Sequence, residues 1–166
     1  MHKLDTLFLD RDGVVNMKLE GRYVRNFEEF EFIPGAIDAI SKLTNKFNRI
    51  IIITNQQGIE KGIMSNADLK TLHARMKEKI EQSGGKINKI YYCPHLEESH
   101  CPCRKPKPGM IEYALLDFPE IVIEDSYLIG DSDSDIEAGK RMNLSTVKVD
   151  NEYTLAKWTT ELLFSL

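Results

Sequence analysis

The chain has 166 residues, 42% hydrophobic and 29% charged, which is the balance of an ordinary folded domain long enough to bury a core. Its 22 basic and 26 acidic side chains leave a formal charge of −4, which gives no basic footprint for nucleic acid or an anionic membrane. The opening Met1-His2-Lys3-Leu4-Asp5 lacks a secretory apolar core, no stretch nears the roughly 20 residues of a membrane span, and the three clustered cysteines do not suit a secreted disulfide scaffold; a cytoplasmic location is expected.

Strands and helices alternate along the chain. Leu4 to Leu9 reads as a buried strand, and Gly13 lets the backbone turn sharply after it. Pro34-Gly35 opens a helix with Ile37, Ile40, Leu43 and Phe47 on one face. Ile50 to Ile53 is apolar on both faces, as a central parallel strand requires. Ser65-Asn66-Ala67-Asp68 is a variant capping box that starts a second helix, with Leu69, Leu72, Met76 and Ile80 inward, and Gly84-Gly85 ends it. His73 falls on this helix and reads as an ordinary helix-face residue. A strand at Ile87 to Tyr92, a helix at Met110 to Phe118 and a strand at Tyr127 to Ile129 follow. The chain then passes through a helix at Ile136 to Met142, a strand at Thr146 to Val149 and a last helix at Tyr153 to Leu163. The order predicts one three-layer α/β domain over residues 1–166, with a mostly parallel sheet.

Two intervals are too long for plain βα connections, Gly13 to Ile33 and Cys93 to Gly109. Each follows a strand and therefore belongs at the C-terminal rim of the sheet, where open α/β folds bind ligands. Four polar segments gather at that rim. Asp10-Arg11-Asp12-Gly13 sets two carboxylates one residue apart, an arrangement that needs a cation or bound substrate to offset its charge. Thr54-Asn55-Gln56-Gln57-Gly58 offers a hydroxyl, amides and turn N–H groups to an anion. Arg104-Lys105-Pro106 supplies a guanidinium and an ammonium, and Gly130-Asp131-Ser132-Asp133-Ser134-Asp135 a further acid cluster. Each has a plain reading by itself: turn chemistry, a solvated basic pair, a helix cap at Asp133 or Asp135. Together they place an acid pair, a hydroxyl, a cation and another acid at separate strand ends of one sheet.

In this order, D-R-D-G-V-V-N, T-N-Q-Q-G, R-K-P and G-D-x-x-x-D resemble the four motifs of the haloacid-dehalogenase-like (HAD) phosphohydrolases, over nearly the whole chain. The resemblance is sharpest for the branch that holds the heptose-bisphosphate and histidinol-phosphate phosphatases, in which a C-x-H…C-x-C-R-K-P loop recurs. Lys107-Pro108-Gly109-Met110, and Tyr23, Phe30 and Phe32 before Pro34-Gly35, are more like the heptose group; the short span from His95 to Cys101 is more like the histidinol-phosphate group. The resemblance implies a Rossmann-like HAD fold with no separate cap domain and a zinc-binding loop. It also implies a monomeric, magnesium-dependent phosphatase acting on a small phosphorylated sugar, a heptose 1,7-bisphosphate, at its 7-phosphate. Histidinol phosphate is the alternative substrate, and a non-catalytic zinc-stabilised binding module is the alternative of another class.

The residues take roles accordingly. Asp10 is the expected nucleophile, forming an aspartyl-phosphate, and Asp12 the acid and then base. Thr54 and Lys105 are expected to hold the transferring phosphoryl group. Asn55, Gln56, Gln57 and Arg104 are assigned to substrate, with Arg104 recognising its second phosphate. Asp10, Asp12 (through its backbone carbonyl) and Asp131 would hold magnesium. Lys18 to Tyr23 is a further candidate contact segment. Cys93, His95, Cys101 and Cys103 make a full tetrahedral set for a structural zinc; His100 is a rival ligand, and His95 is preferred because it pairs with Cys93 as C-x-H.

Overall fold

In the computed structural model, which describes residues 2–165, the first apolar run forms β1 (Leu4–Leu9). It lies mid-sheet between β2 (Phe47–Asn55) and β4 (Tyr127–Gly130). β3 (Lys89–Cys93) adds beyond β2 and β5 (Ser145–Lys148) beyond β4, giving the order β3-β2-β1-β4-β5. Every neighbouring pair is parallel.

Strand periodicity sorts the core into two layers. Leu7, Leu9, Ile50, Ile52 and Ile129 face one side, where α1 (Ala36–Thr44), α2 (Asn66–Gln82) and α5 (Leu155–Ser165) pack. Phe8, Ile51, Ile53 and Leu128 face the other, against α3 (Gly109–Asp117) and α4 (Asp133–Arg141). The four isoleucines of β2 are at most 1% exposed, and each stabilises the fold by about 1.5–3 kcal/mol. The capping box is present: Asp68 N–H donates to Ser65 Oγ at 3.0 Å and Ser65 N–H to Asp68 Oδ2 at 2.9 Å.

Several boundaries differ from the sequence reading, each for a local reason. Phe47 starts β2 instead of closing the α1 face, because α1 ends at Thr44 and the chain is already extended at Phe47, which pairs with Leu4. Ile37 is only half-buried; Ala36 and Ala39 complete the buried face of α1 with Ile40 and Leu43. α4 begins at Asp133, three residues early, because Ser132 and Asp135 form a second capping box. β3 and α5 begin two residues later than expected, α3 and β5 one residue earlier.

The strand order reverses about β1: the chain runs out to β2 and β3, then returns to β4 and β5 on the other side. The C-terminal ends of β1 and β4 flank that switch point, where α/β sheets open a crevice. The long interval after β1 crosses the rim, with a 3-10 turn at Phe27–Glu29 and short antiparallel pairing through Met17 N–H to Glu31 O (2.7 Å) and Ile33 N–H to Val15 O (3.0 Å). The cysteine loop leaves the end of β3 beside it. Among the described residues, no helix is long and apolar enough to cross a membrane.

Candidate active site

Asp10 is the first residue beyond β1, and its N–H donates to Ile129 O on β4 at 3.0 Å. This bond ties the two central strand ends together. Gly13 turns the chain at φ +87°, and a Cβ there would run into the carboxylate of Asp131. A Cβ on Gly130 would likewise strike the Asp135 side chain. The glycines of the two acidic motifs thus make room for the carboxylates of the second motif.

Lys105 lies at the centre of these acids, 4% exposed. Its ammonium sits 3.0 Å from Asp10 Oδ1 and 2.5 Å from Asp135 Oδ1, and donates to Ile53 O at 3.0 Å. Burial lowers the pKa of that ammonium, but the charges of Asp10 and Asp135 outweigh it and leave it raised. Burial pushes the Asp10 carboxyl well above its ordinary range, with Asp135, Asp12 and Asp131 adding to the rise and Lys105 opposing it. Asp135 accepts from Asp131 N–H and Ser132 N–H at 3.1 Å each and from Ser132 Oγ at 2.9 Å. With Lys105 on its other oxygen, Asp135 acts as the brace of the ammonium.

Asp12 is gripped differently. Oδ1 accepts from Arg11 Nη2 at 2.8 Å and Asn16 Nδ2 at 2.9 Å, and Oδ2 from Gln56 Nε2 at 2.9 Å. Burial raises its pKa, but the Arg11 charge and these donors prevail and hold the carboxyl below its usual range.

These groups floor a cleft of ≈ 320 Å³ whose wall includes Asp10, Asp12, Lys105, Asp131 and Arg104. Asn55, Gln56 and Gln57, expected to meet substrate, line this cleft and also brace its other groups. Asn55 clamps Lys105: Lys105 N–H donates to Asn55 Oδ1 at 3.1 Å, and Asn55 Nδ2 to Lys105 O at 3.3 Å. Gln56 Nε2 also donates to Thr54 Oγ1 at 2.9 Å, so its amide bridges Thr54 and Asp12. Thr54 itself is 1% exposed and is not part of the cleft wall. Gln57 Nε2 donates to Tyr23 Oη at 2.9 Å, and Lys61 Nζ reaches the same oxygen at 2.8 Å, pinning the 13–33 interval across the cleft mouth. Lys18, Arg22 and Tyr23 join the wall, and Lys18 Nζ lies 3.2 Å from Asp131 Oδ2. Asp135 was readable as more than a cap only through its four-residue spacing from Asp131.

The donors fit a hard cation. Asp10, Asp131 and Asp135 bring carboxylate oxygens within 4.8 Å of one another, and Asp131 Oδ1 is buried without a hydrogen-bond partner among the described residues. Oxygen-only ligands of this kind suit magnesium. Asp135 is the most committed of the three, through Lys105, Asp131 N–H and Ser132, while Asp131 brings the unpaired oxygen.

The thiols of Cys93, Cys101 and Cys103 form a second group within 4.8 Å. Cys103 Sγ is 2.7 Å and Cys101 Sγ 3.5 Å from Cys93 Sγ. Burial raises the Cys93 and Cys103 thiols, while hydrogen bonds from its neighbours overcome burial and lower Cys101. Three converging sulfurs suit zinc. The imidazoles of His95 and His100 lie outside this group. His95 contributes its backbone carbonyl, 3.5 Å from Arg104 Nη1.

The HAD-hydrolase-like family model matches residues 102–162. A D-glycero-beta-D-manno-heptose-1,7-bisphosphate 7-phosphatase of Pseudomonas putida is 39% identical over 158 residues, 93% of this chain and 89% of that protein. A D-glycero-alpha-D-manno-heptose-1,7-bisphosphate 7-phosphatase of Mycobacterium bovis is 41% identical over 131 residues, 79% of this chain and 69% of that protein. Among solved structures, the D,D-heptose 1,7-bisphosphate phosphatase of B. bronchiseptica, complexed with magnesium and phosphate, superposes with a TM-score of 0.89 at 29% identity, covering 98% of this chain and 99% of that one.

Proposed function

Because the chain belongs to the heptose-bisphosphate phosphatase family of HAD-like hydrolases, we propose that it removes the 7-phosphate of D-glycero-D-manno-heptose 1,7-bisphosphate. The observation that carries the reading is the meeting of Asp10, Lys105 and the unpartnered Asp131 oxygen on one cleft floor at the switch point. Relatives named for both the alpha and the beta anomer match at similar identity, so the proposal stops at the shared heptose. Histidinol phosphate is not favoured by these relatives, and the complete acid–lysine constellation argues against a non-catalytic module.

Asp10 Oδ2 is the oxygen that Lys105 leaves free, and it would attack phosphorus to give an aspartyl-phosphate. The departing sugar oxygen takes a proton from Asp12; water then attacks the same phosphorus, gives its proton back to Asp12 and frees the Asp10 carboxylate. The low pKa of Asp12 suits the second step. An arriving phosphate dianion beside it raises that pKa and supplies the protonated form needed in the first. Asp10, Asp131 and the Asp12 carbonyl would hold magnesium, which offsets the charge of the phosphoryl oxygens. Lys105, fixed by Asn55 and Asp135, holds the transferring group, and Arg104 takes the phosphate that stays. The thiolates of Cys93, Cys101 and Cys103 would hold a structural zinc that pins the loop carrying Arg104 and Lys105; His95, whose imidazole lies outside the thiol group here, is the proposed fourth ligand.

Phosphorus NMR on the bisphosphate tests this directly. With magnesium, the C7 phosphomonoester signal should give way to inorganic phosphate while the C1 signal persists. Asp10→Asn should stop turnover with the fold intact. Loss of the C1 signal first, or turnover by pure Asp10→Asn, would refute the assignment.

A further inference from the structure

A buried polar chain runs behind Asp12. Arg11 has no exposed surface, and its guanidinium carbon packs 5.8 Å from the centre of the Phe30 ring. Nη2 holds Asp12, Nη1 lies 3.0 Å from His73 Nε2 on α2, and Nε has no partner among the described residues. His73 is 5% exposed, and its ring stands near edge-on to Tyr92 at 6.2 Å. A guanidinium donates only, so this contact requires an unprotonated Nε2, with the ring proton on Nδ1. Burial, aided by the Arg11 charge, pushes the His73 pKa down to about 3, in keeping with a neutral acceptor.

We propose that His73 is a positioning residue for the phosphatase reaction, accepting from Arg11 so that the guanidinium plane holds the Asp12 carboxylate toward the cleft. Arg11 joins two elements: the turn after β1, where its carbonyl accepts from Val15 N–H at 2.8 Å, and α2, through His73. Without the α2 contact, Asp12 is the remaining hydrogen-bonding anchor of the guanidinium among the described residues. The plane can then pivot about Asp12 Oδ1, while Asn16 on Oδ1 and Gln56 on Oδ2 resist only part of that motion. A neutral imidazole braces the guanidinium and sets its direction without adding a second charge behind the carboxylate.

The inference rests on Asp12 being the acid and base, and leaving groups separate the two claims. An alkyl phosphate needs the Asp12 proton, whereas p-nitrophenyl phosphate leaves without it. Asp12→Asn comes first: if it slows both substrates equally, the acid–base reading itself falls. With that control in place, His73→Leu should lower kcat for the alkyl substrate ~10–100-fold, part of the full worth of a general acid. It should lower the aryl rate less than ~3-fold and leave KM near wild type. His73→Gln, whose Oε1 can replace Nε2, should restore the alkyl rate to within ~3-fold. Equal losses on both substrates, or none, would overturn the proposal. Nitrogen NMR of the wild-type protein gives a readout that needs no variant: His73 must carry its proton on Nδ1 from pH 6 to 8, and an Nε2–H tautomer would refute the Arg11 contact.

Discussion

Lys105→Met removes the cation that touches both Asp10 and Asp135 while nearly keeping the side-chain volume. At the observed separations of 3.0 and 2.5 Å, each attraction is worth about 5–7 kcal/mol gross at an effective dielectric of 20. Most of this is offset by the cost of burying the ammonium, so removing one partner of such a group should destabilise the metal-free chain by about 3–5 kcal/mol. For a chain of this length that lowers Tm by about 6–20 °C. The deficit must depend on pH. Asp10 already has a raised pKa from burial, and losing Lys105 raises it further. The protonated form relieves the repulsion, so the variant should lie nearest wild type at pH 5 and fall away as pH rises through the folded-state pKa of Asp10. Magnesium should raise Tm more in the variant than in wild type, because the ion replaces the missing charge. Thermal unfolding at pH 5 and pH 8, in chelator and in magnesium, tests all three statements. A variant within 2 °C of wild type at pH 8 in chelator would refute the claim that Lys105 offsets the acids.

Arg104→Ala should reduce kcat/KM on the bisphosphate by about 1.5–3 kcal/mol, the scale of a charge-assisted hydrogen bond, and do little to a simple monophosphate; equal losses on both would mean that Arg104 and Lys105 serve one phosphate. Metal analysis should find about one zinc per chain, lost with a lowered Tm in Cys103→Ser, and zinc-free protein of unchanged stability would exclude the site. At the opposite end of the sheet, Asp5 Oδ2 accepts from Arg49 Nη1 at 2.9 Å, Thr6 Oγ1 at 2.8 Å and Val122 N–H at 3.0 Å. Burial raises the Asp5 pKa, but these donors and the Arg49 charge leave it lowered. Its contribution is therefore present above the unfolded pKa near 3.9 and lost as pH falls through the folded value. Asp5→Asn should cost about 1.5–3 kcal/mol at pH 7, with the gap to wild type closing below about pH 4; a constant gap across that range in thermal unfolding would count against it.

What could be read in advance follows physical range. β1 was legible because Leu7-Phe8-Leu9 is a short apolar run that stops at the charged Asp10-Arg11-Asp12. The α2 start was legible because a capping box is written in four consecutive residues. Phe47 was misplaced because its spacing from Leu43 continues the helical period by coincidence, and only pairing with Leu4 marks it as strand. The acids, Lys105 and the cysteine thiols stand out in the sequence because their chemistry is conspicuous, and the structure gathers them into two groups. The duties of Asn55, Gln56 and His73 were not, since amides and imidazoles take their meaning from partners 50, 44 and 62 positions away. Asp135 looked like a cap and is one; its other oxygen finds Lys105 only after β4 docks beside β1.

That docking has a consequence for how the protein comes into being. Asp10 leaves the ribosome early, but the strand that brings Asp131 and Asp135 to it is β4, the fourth of five. No nascent or truncated chain ending before Gly130 can own the acid cluster, however well its first three strands have paired. The distant pairing of β1 with β4 is also the kind of contact that forms late, after long loops have closed. Turnover is therefore a reporter of completed topology: recovery of activity on refolding should trail the recovery of helical signal and coincide with closure of the sheet about its central strand.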